Sequence, residues 1–279
     1  MSDFARYISG VQHGFTKTEK NGVVFFTIPS FCKSGLVKCG FSSRIGGVSA
    51  GEFSTLNFSL KREGDPEHFR ENIRRFARAL DVDYSKIAIV NYAHADGVYA
   101  LKPADAGAGL TRENTLPKAD ALIVDRPGIA GMTMHADCVP VFILDQRRGI
   151  ASIAHSGWRG VVKRLPQKII EYFIREYGSH PQDLLAAIGP HMGVCCFEVG
   201  KDVGDLFEKE FGRESVVRSN EKLFADMQYG ILKQFFEMRI PAQQVTVSDL
   251  CTYCREDLFY SHRRDHGKTG AMACLLEKI

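Results

Sequence analysis

Residues 135–145 read HADCVPVFILD, in which a histidine, an aspartate and a cysteine crowd against an apolar run. Consecutive apolar positions without alternation are what a strand covered on both faces requires. The same character recurs on either side, in IAIVNY, ALIVD, GIAGMTMH and GIASIAH, and later in LLAAIG, QVTVS and AMACLLEK. These short runs predict a sheet-rich core with its strands closely spaced in sequence.

Helical patterns interrupt the strands. Asp65 is the expected N-cap of a helix with Pro66 at its first position, and Phe69, Ile73, Phe76 and Leu80 then fall on one face. A second helix is expected from about residue 160 to 177, ending at Gly178, with Pro166 breaking or kinking it. VGKDVGDLFEKEF and LFADMQYGILKQFFEM read as amphipathic helices. Before all of these, residues 23–28 and 36–41 read as an N-terminal hairpin or meander, after a poorly patterned lead-in of some 20 residues. The expected fold is therefore α/β (or α+β), a layered domain with a mixed sheet and flanking helices. No repeat or linker divides the chain, so one domain over residues 1–279 is expected, with its core from about residue 23.

Residues 42–60, SSRIGGVSAGEFSTLNFSL, are too rich in glycine and serine for regular structure. A loop of that length inside a compact domain usually binds something.

Composition narrows the function classes. Charged residues make up 25% and the net charge is only +3, so the electrostatic footprint of a nucleic-acid binder is absent. The start, MSDFARYISG, lacks an apolar signal region and no run approaches membrane-spanning length, so no membrane association and a cytoplasmic location are expected. Eight irregularly spaced cysteines in a chain able to bury its own core point to reduced thiols.

Three reactive groups lie beside expected strands: His94 after IAIVNY, Cys138 before VFILD, and His155 ending GIASIAH. Strand ends that are neighbours in a sheet can meet, and one thiolate with two imidazoles suits Zn²⁺ with its fourth position open. Copper is a further possibility for such an N/S set. Read without a metal, Cys138 is a nucleophile with His155 as its base. Asp137 is a candidate proton carrier or a turn anchor. Arg44 and Arg264 are candidate anion ligands or solvated charges. His135 is expected to orient a ligand or line a pocket, Trp158 to pack, and Gly157 and Gly160 to permit a tight turn. Cys251-x-x-Cys254 has no second CxxC motif, and Cys195-Cys196 are poorly placed for a disulfide with each other, so both pairs read as structural.

Five blocks resemble one family: Ser43 to Ser49 with Leu56-Asn57, His135 to Val141, Ala154 to Gly160, Ile188 to Pro190 with Phe197 to Gly200, and Cys251-Thr252 with Phe259 to Asp265. They are similar to the laccase-domain family, also called multicopper polyphenol oxidase-like or peptidoglycan editing factor-like. The resemblance implies a three-layer α/β fold with a mixed β-sheet and flanking helices, and a metal site at His94, Cys138 and His155, holding zinc or copper. Asp137 and Cys138 are the candidate catalytic residues, and Arg44, Asn57, His135 and Arg264 the candidate substrate contacts. The activity it implies is phosphorolysis of adenosine, inosine and methylthioadenosine, with deamination of adenosine, so the partners would be a purine nucleoside and phosphate. A monomer or homodimer is expected. Alternatives are a cysteine hydrolase or amidase acting on peptidoglycan precursors, and a single-copper polyphenol oxidase. A true multicopper oxidase is disfavoured, since the nine histidines include no His-x-His pair. Two positions depart from the family pattern: Tyr92-Ala93-His94-Ala95 replaces Gln-x-His-Gly, and Ala271 stands where an arginine often follows Thr-Gly.

Overall fold

A computed structural model describes residues 2–92 and 96–279. Two sheets stack face to face. The seven-stranded one runs in the order Gln12–His13, Val245–Val247, Leu184–Ile188, Val139–Asp145, Ile150–Ser156, Ala121–Val124, Val98–Ala100. The six-stranded one runs Thr16–Lys20, Val23–Thr27, Val37–Ser42, Met272–Lys278, Ala130–His135, Ile87–Ile89. Both mix parallel and antiparallel pairs.

The apolar runs show why there are two sheets. Strand Val139–Asp145 is buried along its whole length. Phe142 and Leu144 face the six-stranded sheet, meeting Phe41, Met272 and Cys274 in one core cluster. Val141 and Ile143 face the other way, onto Ile169, Ile170 and Phe173 of helix Leu165–Tyr177. The outer face of the six-stranded sheet is covered by Phe69, Ile73 and Phe76 of helix Pro66–Ala79. The expected α/β class, with mixed strands and flanking helices, holds. The layers run helix, sheet, sheet, helix, because most strands divide between two sheets that cover one another, while Glu198–Val199, Lys222–Ala225 and Val216–Ser219 form a separate three-stranded sheet.

Local signals are realised closely. Asp65 caps its helix, its side chain accepting from the backbone N–H groups of Glu67 and His68. The segment around Pro166 is broken as its proline requires, into helices Trp158–Val162 and Leu165–Tyr177, with Arg164 between them at φ +60°. Gly178 closes the second helix in the left-handed region. Two segments differ from expectation. The lead-in is a capped helix, Asp3–Ile8, followed by two strands. The start of LFADMQYGILKQFFEM is strand Lys222–Ala225, and the helix begins only at Met227, after the Asp226 cap.

Candidate functional site

HADC is the crossing point between the sheets. His135 ends strand Ala130–His135 of the six-stranded sheet, and Cys138 immediately precedes strand Val139–Asp145 of the seven-stranded one. Asp137 makes the turn at φ +89°, in the region that ordinary side chains rarely occupy. The neighbouring strand Ile150–Ser156 brings its far end back alongside, pairing His155 with Pro140 and Ser156 with Val139. His155 and Cys138 thereby share the wall of one cavity of about 950 Å³. A cavity of that size accommodates a small organic ligand. His94 lies outside the described residues.

His155 is almost fully buried, and its Nδ1 lies 3.7 Å from the carboxylate of Asp120. Burial opposes a charge on the imidazole, but the Cys138 sulfur beside it and the Asp120 carboxylate outweigh that cost and raise its pKa to about 9. The ring is thus held between the Cys138 sulfur and the Asp120 carboxylate. A carboxylate behind an imidazole that faces a soft donor is a familiar way of orienting a metal ligand. On donor chemistry alone, Cys138 and His155 fit a zinc or copper ion.

His135 plays another part. Its Nδ1 donates to the Cys138 carbonyl at 3.1 Å, and its Nε2 lies 2.9 Å from the Thr133 hydroxyl and 3.5 Å from Cys274 Sγ. Burial and the adjacent His155 hold its pKa well below the usual histidine value, so the ring is neutral and both nitrogens are engaged. It lines the cavity and fixes the backbone at Cys138.

The other expected residues are engaged elsewhere. Asp137 accepts from the Thr252 hydroxyl at 2.7 Å through Oδ1 and from the Arg263 backbone N–H at 2.8 Å through Oδ2, and it is not among the described residues lining the cavity. All five N–H donors of Arg264 are used, on Asp265 and on the carbonyls of Thr252, Tyr253 and Phe259. Arg44 donates to the carbonyls of Ser54 and Glu256 and lies over the Tyr260 ring. Asn57 joins Glu63 to the backbone of Ser59 and Ala271. Arg264 thus folds the 251–265 segment on itself, Arg44 ties the long loop to that segment, and Asn57 ties the loop to the backbone at Ala271.

The cations on the cavity wall are Lys61, Arg62, Lys118 and Arg159. Sequence reasoning did not single them out. Arg62 donates to the Thr269 and Gly270 carbonyls and stands 3.2 Å from His262 Nδ1. Arg159 lies over the Trp158 ring, 4.3 Å from its centroid, so the sole tryptophan backs a cation at the cavity edge. Arg159 sits inside a block that carried the family resemblance, whereas no local signal marked Lys61 or Arg62. Gly157 also has a different reason from the one expected. Its φ is an ordinary −68°, but a Cβ there would stand 3.1 Å from Cys138 Sγ, so glycine makes room for the thiol.

This fold is shared with solved structures. The crystal structure of Bacillus licheniformis hypothetical protein YfiH superposes with a TM-score of 0.87 at 30% identity, covering 94% of this chain and 98% of that one. YlmD from Geobacillus stearothermophilus superposes equally well at 28% identity, over 95% of this chain and 98% of that one. Residues 38–277 match the family model described as multi-copper polyphenol oxidoreductase laccase, and the chain belongs to this family. Relatives carry another name. Purine nucleoside phosphorylase YlmD of Bacillus subtilis is 30% identical over 241 residues, 85% of this chain and 86% of the relative. Purine nucleoside phosphorylase YfiH of Escherichia coli is 31% identical over 245 residues, 87% of this chain and 93% of the relative.

Proposed function

We propose that the chain is a metal-dependent purine nucleoside enzyme that cleaves adenosine, inosine and methylthioadenosine with phosphate and deaminates adenosine. The observation that carries this reading is one cavity in which a thiol–imidazole pair faces Lys61, Arg62, Lys118 and Arg159. The names of the relatives support the same chemistry.

Phosphorolysis joins a phosphate oxygen to the anomeric carbon as the bond to the base breaks. Both phosphate and departing base carry negative charge, so fixed cations at the cavity wall favour the transition state. Arg62 and Arg159 are placed to hold phosphate, each already oriented by a carbonyl pair or a ring. This moves to them the anion role expected of Arg44 and Arg264, which then hold the loops that shape the cavity. Asp137 serves as a positioning residue for Cys138, and Asp120, on the cavity wall behind His155, positions that ring. Zinc held by Cys138, His155 and His94, with copper as the alternative, would supply a Lewis acid and an acidified water for deamination.

Incubating the purified protein with adenosine tests the reading. Free adenine should form only when phosphate is added, and inosine should form without it. Finding neither product with metal-loaded protein would sink the proposal.

A second reading has its own observation. Cys138, His155 and Asp120 are arranged as nucleophile, base and orienting acid, as in a cysteine hydrolase acting on amides such as peptidoglycan precursors. Alkylation of Cys138 separates the two. Protection that disappears with a chelator favours the metal, and equal reactivity with and without it favours the nucleophile.

A further inference from the structure

Two cysteine pairs that look unrelated in the sequence meet in the fold. Cys195 and Cys196 lie in the turn that follows strand Leu184–Ile188, and Cys251 and Cys254 in the turn that follows strand Val245–Val247. Those strands are parallel neighbours, so their following loops emerge side by side. The loops are then laced together. His191 and Cys251 form an isolated bridge, and Thr252 N–H donates to the His191 carbonyl at 2.9 Å. The result is that all four sulfurs lie within 4.8 Å of one another, with Cys196 and Cys254 at 3.3 Å and Cys195 and Cys254 at 3.9 Å.

We propose that Cys195, Cys196, Cys251 and Cys254 form a second metal site, a closed tetrathiolate for a zinc-class ion, separate from the Cys138 cavity. Sulfurs placed tetrahedrally at a Zn–S distance of about 2.3 Å stand about 3.8 Å apart, which matches the spacing of this group. A single ion is indicated over an iron–sulfur cluster, whose larger frame would spread four thiolates farther apart. The turn at Val194–Cys196 lets adjacent side chains point the same way, which an extended strand forbids. Cys251 Sγ also accepts the Gly193 backbone N–H at 3.3 Å, a bond that favours the anionic sulfur a metal requires.

Four thiolates leave no open coordination position, so the site is structural. What it secures is the segment that follows. Thr252 and Arg263 bind the Asp137 carboxylate one residue from Cys138, and His262 reaches the cavity wall. A metal staple at residues 195–254 therefore holds the clamp on the crossing loop. This inference stands apart from the proposed activity, since it uses none of the residues assigned to it except through that clamp.

The test uses the full chain purified anaerobically. Elemental analysis of Cys138→Ala should still find one equivalent of zinc, and cobalt reconstitution of that variant should give the intense thiolate-to-metal absorption of a sulfur-rich tetrahedral site. The double variant Cys251→Ser/Cys254→Ser should lose that equivalent and that absorption. Should the double variant fail to fold, mass-spectrometric mapping of alkylation on the unaltered protein decides. All four cysteines should be protected until a chelator is added. Alkylation of all four in the absence of chelator, no metal in Cys138→Ala, or recovery of a Cys196–Cys254 disulfide as the resting state would each overturn the proposal.

Discussion

Cys138 and the 195–254 cluster put the same element to use in opposite surroundings. Cys138 stands with a buried imidazole on the wall of a cavity lined with cations. The four clustered cysteines stand among themselves, two of them exposed, beside a pocket of only about 230 Å³. A mixed N/S pair at a large opening can present a bound group to a substrate, whereas four sulfurs closed on one another can only fasten chain to chain. The contrast teaches that cysteine chemistry is set by what faces the sulfur, and that is a property of tertiary structure.

The comparison can be broken at several points. The largest effect is expected from Cys138→Ala, which should lower kcat/KM for adenosine by more than about a hundredfold while the melting temperature barely moves. Steady-state assays beside a thermal scan check both halves. Equal activity would remove Cys138 from the chemistry.

Asp120→Asn should cost about ten- to a hundredfold in activity or metal affinity, by releasing the far side of the His155 ring. A rescue by Asp120→Glu would mark a charge-dependent positioning role, which a merely packed side chain would not show.

Arg62→Ala should raise the KM for phosphate about tenfold, as expected for one lost hydrogen bond to a charged group. Deamination, which needs no phosphate, should be unaffected. A parallel fall in both reactions would place Arg62 outside the anion site.

Asp137→Ala should destabilise the fold by about 1–3 kcal/mol in denaturant melts, because it strands the Thr252 hydroxyl and the Arg263 N–H. Activity should then fall through misplacement of Cys138 and not through lost proton transfer, leaving the pH profile unshifted. The smallest effect belongs to Gly157→Ala, whose methyl group would press on Cys138 Sγ at 3.1 Å. A shift of a few tenths of an ångström should cost about threefold in turnover.

Much of the frame was legible before the structure. The Asp65-Pro66 start, the break near Pro166 and the Gly178 stop are local signals, and each is read off a few neighbouring residues. Strand Lys222–Ala225 was read as helix because Leu223 and Phe224 fit either period over so short a stretch. The helix at Asp3–Ile8 went unmarked, since a six-residue segment carries little periodicity. In the site, the HADC and AHSGWRG blocks drew attention to Cys138 and His155, and the cavity contains both. Lys61 and Arg62, in the one-turn helix Leu60–Glu63, and Lys118, in an isolated bridge to Asn91, were invisible as cavity residues, because cations in such short elements look like any solvated charge.

The sequence by itself determined the α/β class and the helix ends marked by Asp65, Pro166 and Gly178, because propensity, capping and apolar patterning act over a few residues. It also displayed each reactive group without its neighbours. Only the tertiary structure decided which groups face one another. Adjacent strands brought His155 back to Cys138, and parallel strands brought Cys195 and Cys196 to Cys251 and Cys254. The turn at Asp137 set its carboxylate in two hydrogen bonds, to the Thr252 hydroxyl and the Arg263 N–H. Strand pairing between segments far apart in sequence sets these encounters, and no local pattern encodes which ends will meet.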